Sequence, residues 1–220
     1  MKLLEKEKVN ELFYGGNIVI GSYISLFLLT VIVTFFTHGG LFNVKYNDIS
    51  LYPIKSLIAI SFPMFITLCL FPLIIEKRMS KCNLRDIGFV HFSEIGFGSK
   101  GVIVVCICII IAIFVYRPMR GIPPLFIHYL IVGFGEEILF RGIFQRRLQK
   151  VFNPYISIVI TSFVFAFQFH ATGSLIDNLF VRFPLGLLLG FIYYRSKNMW
   201  TISILKTKFG KKQPPPSLWN

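Results

Sequence analysis

The sequence predicts an all-α fold: a polytopic transmembrane helix bundle of about six spanning helices plus a truncated seventh segment. Three observations carry this. Hydrophobic residues make up 55% of the 220 and charged residues only 15%, with a mean hydropathy of +0.69. Twenty-five phenylalanines exceed what a water-soluble core of this size needs. The apolar residues fall in runs near the ~17–25 residues that a bilayer-spanning helix requires, and basic residues cluster between them.

The runs cover about 18–36, 56–75, 101–116, 124–144, 155–169 and 178–194. The third and fifth stand at or below the short limit for a span. Pro123 and Pro124 suit the first turn of the fourth helix, where a missing N–H costs nothing. Asn153-Pro154 reads as the cap and first residue of the fifth. A seventh apolar segment starts at Met199 and stops after Leu205, too short to cross. The chain therefore reads as one membrane-embedded domain over 1–205, followed by a basic, Pro-rich tail over 206–220.

Loop charge sets the expected orientation. Lys77, Arg78, Lys81 and Arg85 lie between the second and third runs, Arg146, Arg147 and Lys150 after the fourth, and Arg195 and Lys197 after the sixth. Six crossings put all of these on one side, the cytoplasm, with both termini. Arg117 and Arg120 are the discordant pair. The formal net charge of +13 then reflects topology, and nucleic acid is not an expected partner. The mixed charges of MKLLEKEKVNELF and the length of the first run argue against a cleavable signal peptide. Cys69, Cys82, Cys106 and Cys108 show no C-x-x-C spacing and read as packing residues.

One stretch breaks the apolar pattern. FGEEILFRG places Glu136, Glu137 and Arg141 within six residues of a predicted span. Each charge costs roughly 2.5–3.5 kcal/mol at a helix centre on insertion scales. Glu137 and Arg141 stand four apart on one helical face and can pair. Glu136 points about 100° away. The ion pair accounts for two of the three charges and leaves Glu136 to be explained. One explanation is an interhelical polar clamp. The other is a general base that takes a proton from water. Such a base needs a partner, and His170, near the end of the fifth run, is the best placed of four histidines. His38 and His91 fall in loops, and His128 lies two turns before Glu136 on the same helix.

EEILFRG, followed by a basic loop and a helix bearing histidine, resembles the E-E-x-x-x-R motif of the CAAX-protease and bacteriocin-processing (CPBP, or Abi) family of intramembrane proteases. LGLLLGFIYYRSKNMW is similar to the stretch before that family's last motif. The resemblance covers about 125–205. It implies Glu136 as the residue that activates water, Glu137 and Arg141 as residues shaping the site, and His170 as the histidine of the second motif, F-x-x-x-H. Here Phe165 stands five residues before His170, not four. The family's third motif, a histidine followed four residues later by Asn or Asp, has no counterpart, because no histidine follows His170.

The resemblance implies peptide or lipidated-protein substrates in the membrane, and a role in bacteriocin processing or self-immunity. The missing motif makes a non-enzymatic immunity or binding protein the alternative. A transporter using the cluster as a proton relay is a third reading, without the repeated halves it would want. The sequence itself requires no cofactor. There is no H-E-x-x-H, and a divalent metal enters only through the family's common naming as metalloproteases.

Overall fold

A computed structural model describes residues 2–38, 57–80, 82–90, 122–168 and 174–203, all helical or in connecting turns, with no strand among them. The third predicted helix, Arg117, Arg120, Cys106, Cys108, His91, His170 and the 206–220 tail lie outside the described residues.

Helix α1, Lys2–His38, starts far upstream of the apolar run that announced it. Its first turns carry the charged residues of the N-terminus as a helical extension of the span. Helix α2, Ile58–Ser80, is the second span. A turn of 3₁₀ helix, Leu84–Ile87, follows, closed by Gly88 at φ 103°, a left-handed conformation that favours glycine. Helix α3 is continuous over 122–148, and its Ile138–Gln145 portion is wound as π-helix. Helix α4, Pro154–Phe167, begins where the sequence predicted: Asn153 Oδ1 accepts from the Ile156 N–H at 2.9 Å and Pro154 takes the first position. Helix α5 is Leu175–Ser196. A short turn, α6, occupies 199–203.

Among the described residues, three helices, Glu5–Thr37, Ile58–Ser80 and Leu175–Ser196, are long and apolar enough to cross a membrane. Helix α3 is long enough as well but carries the three charges. It is the central element. All the side chains from Gly135 to Gln145 are buried, among α1, α2, α4, α5 and the 82–90 segment. Glycines set the close approaches. A Cβ at Gly135 would lie 2.8 Å from Leu68 Cβ on α2, and one at Gly142 would collide with Ile87. On α5, Gly186 sits against Ser162 and Gly190 against Ile158 of α4, so the G-x-x-x-G pair is a helix-packing face.

The described part of the seventh apolar segment, 199–203, is packed against the bundle. Asn198 caps it, accepting from the Trp200 N–H at 2.9 Å. Met199 and Ile202 are fully buried. The Met199 N–H donates to the Gly88 carbonyl at 2.9 Å, and the Trp200 ring packs edge-on against Phe89 and Phe134. The segment closes over α3 from the same side as the 82–90 turn.

Candidate active site

The charged triplet lies at the junction where α3 passes from α to π winding, a kind of local change often found at functional sites. Glu137 and Arg141 are both 0% exposed, and Arg141 Nε lies 3.3 Å from Glu137 Oε2. This is the i,i+4 ion pair that the spacing predicted. The guanidinium is held from two further directions. Its Nη2 donates to the Gly186 carbonyl of α5 at 3.1 Å, and its Cζ stands 4.9 Å from the centre of the Phe165 ring on α4. Phe140 packs edge-on against the same ring, 5.3 Å between centres. Arg141 thus ties α3 to both α4 and α5 while neutralising Glu137.

Glu136 is 7% exposed and turned elsewhere. Its carboxylate acts electrostatically on Tyr23 of α1 and on His128 of α3 itself. His128, the weaker candidate in the sequence, is fully buried, with Nδ1 in a 3.0 Å hydrogen bond with Ser61 Oγ on α2. The two adjacent glutamates therefore serve different surroundings: Glu137 faces the Arg141 junction with α4 and α5, and Glu136 acts on Tyr23 of α1 and His128 of α3. Of the four predicted site residues, Glu136, Glu137 and Arg141 come together, and His170 lies outside the described residues. Phe165, five residues before it, is at the level of Arg141 and brings the end of α4 to the triplet.

Two features had no motif to announce them. Gln145, one turn beyond Arg141, is fully buried and donates through Nε2 to the Gly190 carbonyl at 3.1 Å. Arg141 and Gln145 on α3 thus meet the carbonyls of Gly186 and Gly190 on α5 as two rungs of one ladder. A polar stripe at four-residue spacing opposite G-x-x-x-G was the available signal. The second feature corrects the reading of RRLQK as a basic loop. Helix α3 continues to Leu148, and Arg147 is buried. Arg147 Nη2 lies 2.8 Å from Glu76 Oε2 and its guanidinium stacks 3.9 Å from the Tyr14 ring centre, with further contacts to Glu11 and Ser80. Arg146 also pairs with Glu76, which is 0% exposed, and Lys150 Nζ lies 2.6 Å from Glu11 Oε1. This network locks α1, α2 and α3 together at one end of the bundle.

Residues 118–207 match the family model of the type II CAAX prenyl endopeptidases, Rce1-like. That segment of the chain is Rce1-like. The match brackets the stretch of resemblance read from the sequence and contains the whole triplet, although it covers less than half of the 220 residues. No curated protein and no solved structure matches the chain. Over that segment the chain is similar to the CAAX-type intramembrane proteases, and its long apolar helices are those of a membrane protein. Among the described residues, no set of three or more His, Cys, Asp or Glu side chains converges as a metal site. Glu137, moreover, is committed to Arg141. The described donors do not form a metal centre.

Proposed function

We propose that the Rce1-like segment carries a glutamate-dependent endopeptidase site within the membrane, in which Glu136 is the general base. The observation that carries this reading is the division of labour in the triplet. The single guanidinium pairs with Glu137, so Glu136 is the carboxylate not required to hold Arg141 in place. In the proposed reaction Glu136 takes a proton from a water, whose oxygen attacks the carbonyl carbon of the scissile amide. The amide C–N bond breaks, the leaving nitrogen receives the proton, and the products are a carboxylate and an amine. His170 is proposed to stand across the water from Glu136. Glu137 and Arg141 fix the helix register and keep a fixed dipole beside the reacting carbonyl. The substrate class is a peptide or lipidated-protein C-terminus, with bacteriocin processing or self-immunity as the biological role.

A second reading is favoured by one specific observation. No histidine follows His170, and 206–220 is rich in Lys and Pro where the resemblance calls for the third motif. On that reading the chain binds peptide and protects without cleaving. A single experiment separates the two. Reconstituted protein is given a prenylated CAAX-type peptide, with cleavage followed by mass spectrometry and binding measured independently. The endopeptidase reading expects slow cleavage that Glu136→Gln abolishes, with binding unchanged within about twofold. Peptide binding with no cleavage by the unaltered protein, and cell protection that survives Glu136→Gln, would establish the binding reading instead.

A further inference from the structure

The end of α2 carries a feature that the catalytic reading does not use. A groove of about 350 Å³ lies between α2 and the 82–87 turn, lined by Leu70, Leu73, Ile74 and Lys77 on one wall and by Leu84 and Ile87 on the other. Leu70, Leu73, Ile74 and Lys77 follow i, i+3, i+4, i+7 spacing, so the groove runs along the helix axis. Leu68 and Cys69, outside the groove, are the α2 side chains packed against Gly135 of α3. Leu70, Ile74 and Leu84 are exposed apolar side chains.

Charge is ordered along this groove. Lys77 and Arg78, in the last turns of α2, are exposed and make no ion pair or hydrogen bond among the described residues. Their neighbour Glu76 cannot neutralise them, because both Arg146 and Arg147 already hold it. Lys77 sits at the end of the bundle where Lys150 and Lys197 also lie, hence at a membrane surface. From there the apolar stripe runs inward toward the bilayer centre. A cation at the surface followed by an apolar channel parallel to the membrane normal has the order of a single phospholipid in one leaflet, phosphate outward and acyl chain inward.

We propose that this groove is a binding site for an anionic phospholipid, with the phosphate at Lys77 and an acyl chain along Ile74, Leu73 and Leu70. The site bears on the catalytic segment through its far wall. Ile87 packs on Gly142, one residue from Arg141, and its carbonyl accepts from the Tyr193 hydroxyl at 2.8 Å. A bound lipid would therefore brace the turn that covers α3.

The test uses the full chain in nanodiscs of equal phosphatidylglycerol and phosphatidylcholine, with retained lipid counted by native mass spectrometry after release. The unaltered protein should retain phosphatidylglycerol at least fivefold over phosphatidylcholine. Lys77→Gln should reduce that preference below twofold, Lys77→Arg should keep it, and Ile74→Trp should expel the lipid by filling the channel. Lys150→Gln, at the same end but away from the groove, should change nothing. Elution as a single species and an unchanged helical circular dichroism spectrum verify folding of each variant. Equal retention of the two lipids by the unaltered protein would overturn the proposal. So would a full preference in Lys77→Gln, or an equal loss in Lys150→Gln. Displacement of phosphatidylglycerol by an equimolar farnesylated peptide would also overturn it, by assigning the groove to substrate.

Discussion

At the scale of single residues, the fold depends on Arg141 in a way it does not depend on Glu136. Arg141 is fully buried and holds Glu137, the Gly186 carbonyl and the Phe165 ring at once. Arg141→Ala leaves a buried carboxylate without its cation, a change that costs roughly 3–5 kcal/mol. Glu136→Gln removes a charge and keeps a side chain of the same shape. The expected outcome is a severe loss of monodisperse, detergent-extracted protein for Arg141→Ala and near-normal yield for Glu136→Gln. Equal losses would make the triplet a structural clamp. The Glu137–Arg141 pair was legible in the sequence because it is local: four residues on one helix fix its geometry. The surroundings of Glu136 were not, because Tyr23 comes from α1, and helical spacing on α3 carries no information about it.

At the scale of elements, α3 and α5 are joined by the two-rung ladder of Arg141 and Gln145 on the Gly186 and Gly190 carbonyls. The glycines permit it by letting the helices approach. A Cβ at Gly190 would lie 2.9 Å from Gln145 Oε1 and 3.0 Å from Ile158 Cγ2, so Gly190→Ala forces the packing apart at a cost of about 1–3 kcal/mol. Gly16, on α1, has nothing within 4 Å of such a Cβ. Gly16→Ala should be neutral, or stabilising by up to about 1 kcal/mol. Thermal unfolding of the two variants in one detergent checks the contrast, and similar melting temperatures would contradict the ladder. G-x-x-x-G could be read from the sequence as a packing face. Its partners could not, since Gln145 stands 45 positions from Gly190.

At the scale of the whole molecule, the ion pairs of Glu76 and Glu11 bring the start of α1, the end of α2 and the end of α3 to one end of the bundle. Lys197 joins them, 3.5 Å from Gln149 Oε1. These contacts gather Arg146, Arg147, Lys150 and Lys197 at one end, and part of the charge counted as loop is spent in a buried clamp. The clamp was illegible because its acidic member, Glu76, lies 71 positions from Arg147 in a segment that reads as basic. If this end is cytoplasmic, cysteines placed at Met79 and Lys150 should resist an impermeant maleimide in intact cells and react after permeabilisation. Efficient labelling of either from outside would invert the topology. The native Cys82 should stay silent in both conditions. Burial raises its thiol above the ordinary value, with Glu76 and Asp86 adding to the shift against the opposing pull of Arg146. Less of it is thiolate at neutral pH, and its labelling rate should climb only as the pH passes the usual thiol range.

The central claim is that the two adjacent glutamates divide the work, Glu137 holding Arg141 and Glu136 activating water. Cleavage of a prenylated CAAX-type peptide in water enriched in oxygen-18, with the reconstituted protein, tests it most directly. The account predicts one heavy oxygen in the new carboxylate from the unaltered chain, and no product from a well-folded Glu136→Gln protein that still binds the peptide. Cleavage by Glu136→Gln at an undiminished rate, with the same isotope incorporation, would contradict it.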